Sequence, residues 1–301
     1  IFINSKSFIY DGTMIGAIAP ISTSVVIGSF IFGLAMQLGG GCGSGTLFTA
    51  GSGNLKMVIT LIFFIIGSLL GSYHFEFWTN LPSIGGFSLL NNFSKIQTIL
   101  IQLSLLTLIY VFISKLDFNR NNKITHSDIV SNSSHDFIRG PWPLLWGAVS
   151  LVFFSFLMLQ AAGHPWSVTF AFGLWGAKIA SAIGIDVSSW FYWQLEYPST
   201  ALENSVLADP TTVSNVGIIL GALIGSALSG KISKFSSVNK KLILAAVIGG
   251  FFMGYGARLA FGCNIGALFG GIASGSLHGW VWFLFAFLGS VVGVKFRKYF
   301  Y

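Results

Sequence analysis

The residues best suited to chemistry in this 301-residue chain are its two cysteines, Cys42 and Cys263. Cys42 lies in residues 39–45 (GGGCGSG), and Cys263 lies in residues 262–266 (GCNIG). Glycine is a weak helix former, so each run predicts a re-entrant turn followed by a half-helix. The N-terminus of a half-helix presents free N–H groups and a positive dipole end, which attract an anion and activate a thiol.

We therefore assign the two cysteines and the adjacent Gly41, Gly43 and Gly262 to a substrate path. The alternative is that each cysteine is only a small buried residue. A disulfide between the two cysteines is a further alternative. Their equivalent positions in an internal repeat, described below, favour a functional role.

Charged and polar residues within apolar sequence are the next candidates, because burying a charge is costly. Arg258 lies just before Cys263, its repeat equivalent is Gln37, and together they could flank a central cavity and bind an oxyanion. The alternative for Arg258 is snorkelling to the membrane interface. Lys178 fits anion binding and structural pairing equally, and His164 fits a ligand or a capping residue before Pro165.

The composition of the chain defines its class. It is 53% hydrophobic and 8% charged with a mean hydropathy of +0.78, whereas soluble domains carry about 25% charged residues. These values exclude a soluble globular domain, a disordered tail and a nucleic-acid binder. The net charge of +7 follows from basic cytoplasmic loops, so we predict a multi-pass protein of the inner (plasma) membrane, with the lipid bilayer as its surroundings.

Apolar stretches of about 20 residues, the length that spans a bilayer as a helix, recur along the chain. We predict one all-α polytopic membrane domain over residues 1–301, with about seven to nine transmembrane helices, re-entrant half-helix loops and inverted repeats. The segment 168–183 is short, and we expect it to dip in and return without crossing fully. The alternative is a full crossing followed by a second, hidden crossing. The predicted spans are 14–38, 55–75, 93–113, 142–162, 213–229, 242–261 and 277–294.

Lys and Arg in short loops set the orientation. The basic stretches 114–140, 231–241 and the C-terminal tail are predicted to be cytoplasmic. The stretch 185–210 carries four acids and no Lys or Arg, so we place it outside.

Two parts of the chain repeat each other. An offset of 221 residues aligns Cys42 with Cys263 together with flanking Gly, Leu and Phe positions, and after one inserted residue an offset of 222 continues the match. The repeat units cover about 24–72 and 245–294. By the charge rule their first helices run in opposite directions, and inverted repeats with broken helices are typical of secondary transporters.

Other chemistries lack support in the sequence. There is no zinc-type spacing and no phosphate-binding loop, so we predict no metal site, no cofactor, no nucleic-acid partner and no enzyme. The alternative function is a membrane thiol-dependent sulfur transferase or redox protein that uses the two cysteines. A purely structural membrane subunit is a third interpretation.

Several long motifs resemble the YeeE/YedE family of membrane transporters, and the likeness covers most of the chain. The motifs are residues 33–47 (GLAMQLGGGCGSGTL), 163–166 (GHPW), 174–178 (LWGAK), 257–267 (ARLAFGCNIGA) and 274–280 (SGSLHGW). The resemblance implies thiosulfate uptake through an hourglass-shaped helical protein whose re-entrant loops meet centrally. It also implies a cytosolic TusA-like sulfur-carrier partner, and some relatives are linked to other sulfur or selenium compounds.

The resemblance implies that cysteines on those loops pass the ion along by S–H···S contacts, and Cys42 and Cys263 match two such positions. A further family cysteine lies in an N-terminal loop and has no match here. Because the chain opens on Ile1 rather than Met, we expect an N-terminal piece to be missing.

Overall fold

The computed structural model describes residues 3, 5–121, 142–230 and 239–301. Two of the predicted cytoplasmic stretches, 114–140 and 231–241, lie largely outside the described residues. The chain divides into two compact units, one formed by Ile1–Gly16 and Ser88–Pro165 and the other by Ala17–Phe87 and Trp166–Tyr301.

The described elements are almost all helical. In chain order they are β1 (Pro20–Ser22), α1 (Thr23–Gly39), α2 (Gly43–Gly51), α3 (Leu55–Tyr73), α4 (Phe75–Thr79), β2 (Ser83–Gly86), α5 (Leu89–Asn92), α6 (Lys95–Asn121), α7 (Leu144–Ala162), α8 (Thr169–Ala182), α9 (Glu196–Glu203), α10 (Pro210–Leu228), α11 (Lys240–Leu259), a π-helical segment (Asn264–Phe269), α12 (Gly270–Ala273) and α13 (Leu277–Arg297). Short 3₁₀ turns fill the stretch between α8 and α10, and β1 pairs with β2 in a small antiparallel ribbon.

Seven helical stretches of the described chain are long and apolar enough to cross a membrane, which confirms the predicted all-α polytopic fold. They are Thr23–Gly51, Leu55–Tyr73, Lys95–Asn119, Leu144–Ala162, Pro210–Leu228, Lys240–Ala273 and Leu277–Arg297. The predicted span 14–38 was wrong at its start, because the helix begins only at Thr23. Pro20 has no N–H to donate, and the Ser22 side chain caps the helix by accepting a hydrogen bond from the N–H of Val25.

The short apolar segment 168–183 forms α8, whose 14 residues extend about 21 Å. That length is too short for a hydrocarbon layer of about 30 Å. Eight of its residues are buried, and it packs against α3, α10 and α11. This agrees with the expectation of a segment that does not cross fully.

The core of the second unit is built from α1, α3, α11 and α13, which approach closely at glycines. A Cβ built on Gly67 of α3 would lie 1.9 Å from the carbonyl oxygen of Phe251, and one on Gly289 of α13 would lie 2.1 Å from that of Phe30. Such close backbone approach is the usual way in which membrane helices pack. In the alignment with offsets of 221 and 222, Gly67 pairs with Gly289 and Phe30 pairs with Phe251. The two contacts therefore correspond to each other.

The glycine contacts also give the directions of the helices. Gly28 of α1 faces Gly256 and Leu259, near the end of α11, whereas Gly39 at the end of α1 faces Gly249, which comes earlier in α11. The two helices are therefore antiparallel, and the chain leaves Gly39 and Leu259 at opposite ends of the pair.

Candidate functional site

The two cysteine segments meet although the helices that precede them end far apart. A Cβ built on Gly43 would lie 3.4 Å from the Sγ of Cys263. Since α1 and α11 are antiparallel, this contact requires both segments to turn back toward the middle of the core. The turns use left-handed backbone, with φ of 91° at Gly40 and 148° at Gly262, conformations that glycine adopts readily.

Cys42 is the N-cap residue of α2. Its backbone is extended, its carbonyl accepts a hydrogen bond of 2.8 Å from the N–H of Thr46, and its side chain does not cap the helix. Its Sγ lies 3.5 Å from the Oγ of Ser44. The first N–H groups of α2 therefore have no side-chain acceptor, which leaves them available to an anion.

Cys263 begins a different kind of helix from the predicted half-helix. The N–H of Leu268 reaches back to the carbonyl of Cys263 at 3.2 Å, and residues Asn264–Phe269 form a π-helical turn before α12. The one inserted residue in the repeat falls between Phe269 and Ser274, at the end of this segment. A π-turn accommodates one additional residue within a helix, which explains why the two elements differ.

Both thiols are free and pack in one apolar cluster that also contains Phe172 and Trp166. Cys263 has no exposed surface, whereas Cys42 is half-buried. The disulfide alternative is therefore not the arrangement observed.

This difference in burial predicts the reactivity of the two thiols. In single-cysteine variants, Cys42→Ser and Cys263→Ser, we expect a methanethiosulfonate reagent to modify the remaining Cys42 at least about ten times faster than the remaining Cys263, because only an accessible thiolate reacts. Mass spectrometry of the intact protein over time measures both rates. Equal rates would contradict the described burial.

Arg258 is only 8% exposed at the end of α11. One terminal nitrogen donates to the Ser68 Oγ at 3.1 Å, the other donates to the hydroxyl of Tyr192, and the guanidinium stacks 4.3 Å from the centre of the Tyr192 ring. The Nε has no partner, and no carboxylate of the described chain forms a salt bridge with this residue. Burial raises the pKa of Tyr192, with Arg258 opposing this shift, so the phenol stays neutral and the positive charge is not cancelled.

Gln37 does not join Arg258 at one cavity. Gln37 packs against Gly293: a Cβ built on Gly293 would lie 3.0 Å from the Cγ of Gln37. Arg258 packs against Gly71: a Cβ built on Gly71 would lie 2.8 Å from the Cβ of Arg258. The two contacts occupy equivalent positions in the sequence alignment with offsets of 221 and 222. Because Arg258 lies level with Gly28 of the antiparallel α1, Gln37 is displaced from it by roughly 13 Å along the helix axis.

Lys178 contacts the end of α9 rather than the cysteine elements, and His164 lies outside the unit that contains them. The Nζ of Lys178 donates to the carbonyl oxygens of Leu202 and Asn204 at the end of α9, the latter at 2.8 Å, which matches the structural alternative. His164 belongs to the first unit, and its Nδ1 lies 3.0 Å from the carbonyl oxygen of Pro165.

Sequence reasoning missed two residues next to this site. Tyr192 binds Arg258 from the acidic stretch 185–210. The methyl group of Thr169, like the Sγ of Cys263, lies 3.4 Å from the Cβ position on Gly43. Neither residue carries a charge or a motif, and only the GHPW motif just before Thr169 gave a local signal.

Helical membrane proteins in which two broken elements from opposite directions meet in the core are typically secondary transporters. The comparison with known sequences names the group. This chain belongs to the sulphur transport family, whose model matches residues 7–292.

Three relatives illustrate the range of similarity. The probable transporter YedE of Escherichia coli K12 is 31% identical over 134 residues, 44% of this chain and 32% of the relative. The thiosulfate transporter TsuA of E. coli K12 is 24% identical over 273 residues, 88% of this chain and 71% of the relative. TsuA of Spirochaeta thermophila is 25% identical over 298 residues, 91% of this chain and 78% of the relative.

The chain therefore spans about a third of the length of YedE and most of the length of TsuA. All three relatives are named as transporters, which supports a transporter over the sulfur-transferase alternative. Within the described residues, no group of three or more His, Cys, Asp and Glu side chains could hold a metal ion.

Proposed function

We propose that the chain is a multi-pass inner-membrane transporter that imports thiosulfate, or a related small sulfur-containing anion, past Cys42 and Cys263. The observation that carries this proposal is the meeting of the two cysteine-bearing elements in the core, where Gly43 lies against the Sγ of Cys263. The similarity to proteins named thiosulfate transporter supports the choice of substrate.

The chemistry of the site suits an anion with two different ends. A doubly charged oxyanion loses its hydration when it leaves water, so the path must replace its hydrogen bonds and charge. The N–H groups at the start of α2, which have no side-chain cap, together with the uncancelled charge of Arg258, supply that replacement. The thiols add weak S–H donors for the terminal sulfur of thiosulfate. Sulfate has no such sulfur.

The two cysteines are proposed to act in sequence, Cys263 on the outer side and Cys42 on the inner side, within an inverted repeat of residues 24–72 and 245–294. Gly41, Gly43 and Gly262 let the backbone approach the ion. Because Cys263 is fully buried, the described conformation is closed at that point, and passage requires the two elements to separate. The proposed receiver in the cytosol is a TusA-like sulfur-carrier protein.

Uptake of radiolabelled thiosulfate by proteoliposomes that contain the purified chain tests the proposal. We expect uptake that excess unlabelled thiosulfate abolishes and that equal sulfate leaves nearly unchanged. Cys42→Ala and Cys263→Ala are each expected to lower the rate about tenfold, the effect of about 1.4 kcal/mol, because each variant removes one S–H donor from the path. Ser226→Ala is the control and should transport normally, because Ser226 is half-buried on α10 and its hydroxyl donates within its own helix, to the carbonyl of Leu223 at 3.0 Å.

Wild-type rates in both cysteine variants would contradict a path past the thiols. Absence of thiosulfate uptake by the unaltered chain, under conditions in which it is folded, would contradict the proposed substrate.

A further inference from the structure

Phe261 holds a backbone conformation that its residue type rarely adopts. Its φ is 56°, and among the described residues it is the one non-glycine residue with a positive φ. It follows the last turn of α11, where the N–H of the next residue, Gly262, donates to the carbonyl of Ala257 at 2.8 Å. Glycine is usual at this position after a helix end, because a side chain is strained there. Strained residues of this kind concentrate at ligand sites and switch regions.

The first repeat has glycine at the equivalent position. The offset of 221 pairs Phe261 with Gly40, whose φ is 91°, so both helix ends turn in the same way. Each turn is followed two residues later by a cysteine. Cys263, which follows the phenylalanine, is fully buried, whereas Cys42, which follows the glycine, is half-buried. A side chain at the turn therefore accompanies the closed thiol and is absent from the more accessible one.

A row of aromatic rings leads from Arg258 to Phe261. The guanidinium stacks on the ring of Tyr192, the ring of Tyr192 lies 5.0 Å from that of Phe75, and the ring of Phe75 lies 5.7 Å from that of Phe261, centre to centre. Phe261 also packs against the apolar cluster that contains Cys263. Its ring therefore lies at the junction between the surroundings of Arg258 and those of Cys263.

We propose that the ring of Phe261 is the gate of the outer half of the path and closes the way between Arg258 and Cys263. This inference rests on the proposed function for the identity of the ion that passes. A ring without polar groups offers an anion no replacement for its water, so it blocks the ion while it stays in place. The strained backbone raises the free energy of the closed arrangement and thereby favours opening.

The closure of Cys263 is measured without any substrate. In a Cys42→Ser background Cys263 is the one remaining thiol, and intact-mass spectrometry follows its modification by methanethiosulfonate reagents in the purified protein. We expect Phe261→Ala and Phe261→Gly each to raise the rate at least about tenfold, because both remove the ring that shields the thiol. Phe261→Tyr keeps the aromatic body, and its rate should stay within about twofold of the background.

Phe64→Ala is the matched control for loss of a ring from the core. Phe64 is fully buried in the same apolar cluster as Cys263, and its ring packs on those of Phe32 and Phe172. Its removal leaves a cavity away from the proposed gate, so the rate should stay within about twofold of the background. An increase as large as that of Phe261→Ala would show general loosening of the core and would overturn the gate.

The charge of the reagent identifies the route to the thiol. An opening beside the guanidinium of Arg258 favours a negatively charged reagent. In Phe261→Ala we expect the rate of the sulfonatoethyl reagent to rise at least about threefold more than that of the trimethylammonioethyl reagent, each normalised to its rate with free mercaptoethanol. Equal increases would place the opening away from Arg258 and contradict the proposed gate.

Phe261→Gly and Phe261→Ala differ in how well the new residue fits a positive φ. Glycine adopts that conformation readily, so the glycine variant should have the higher unfolding midpoint. A lower midpoint would contradict the strain, and continued protection of Cys263 in the glycine variant would overturn the gate. If Phe261→Ala does not fold, the glycine variant carries the same comparisons. None of these measurements uses thiosulfate, so the uptake assays decide the proposed function separately.

Discussion

Gly67→Ala and Gly289→Ala are each expected to destabilise the protein so strongly that most of it no longer folds. Each new Cβ would lie about 2 Å from a backbone carbonyl oxygen, that of Phe251 or that of Phe30. Backbone cannot move aside as a flexible side chain can, so α3 must separate from α11, and α13 from α1. Adding even one methylene to a packed core costs about 1–3 kcal/mol, and separating two helices along their contact adds to that cost.

The thermal unfolding midpoint of the detergent-solubilised protein and its monodispersity on size-exclusion chromatography measure this effect. Gly221→Ala is the control, since Gly221 lies on the exposed face of α10 with open space where a Cβ would be. Alanine is the better helix former, so this variant should be as stable as the original or slightly more stable.

The comparison of the two variants also tests the proposed repeat. If the units 24–72 and 245–294 are inverted copies, the losses should be of similar size, because the two glycines fill equivalent places. A large loss in one variant with normal stability in the other would contradict equivalent packing.

The sequence carried most of the information about the membrane fold. Long apolar stretches predicted the seven spans, because the length needed to cross a bilayer leaves few alternatives. Glycine runs around Cys42 and Cys263 predicted breaks, because an uninterrupted helix is unfavourable there. The start of α1 was mistaken by nine residues because apolarity continues through 14–22, whereas the hydrogen-bonding of Pro20 and Ser22 decides where a helix can begin.

The site was harder to predict, and the reasons differ among its residues. Gln37 was paired with Arg258 because the sequence alignment makes them equivalent, but α1 and α11 are antiparallel, so the two positions lie at different levels along the helix pair. The partner of Arg258 was missed because it is a phenol 66 residues away rather than a carboxylate. The shift in offset from 221 to 222 was the only sign of the π-helical turn in the sequence. It did not predict the turn, because one inserted residue fits a loop as well as a helix.

Arg258→Met is expected to lose transport without losing stability. In the folded chain the guanidinium is buried with a hydroxyl and a phenol as partners, and such a charge is costly to bury because its hydration is only partly replaced. Methionine fills a similar volume without that cost, so the unfolding midpoint should be equal or higher. If the charge holds the anion in the core, thiosulfate uptake should fall about a hundredfold, the effect of roughly 2.7 kcal/mol.

Two further variants distinguish the charge of Arg258 from its contacts. Arg258→Lys keeps the charge but lacks the planar guanidinium that stacks on Tyr192 and reaches Ser68, so uptake should be intermediate. Tyr192→Phe keeps the aromatic face and removes the hydroxyl, and uptake should stay within a fewfold of the original. Uptake in proteoliposomes and the unfolding midpoint, measured on the same preparations, separate the two effects.

If Arg258→Met transported at the original rate, Arg258 would be a packing residue and the path would depend on helix ends and thiols alone. If it failed to fold, the bonds to Ser68 and Tyr192 would outweigh the cost of burying the charge.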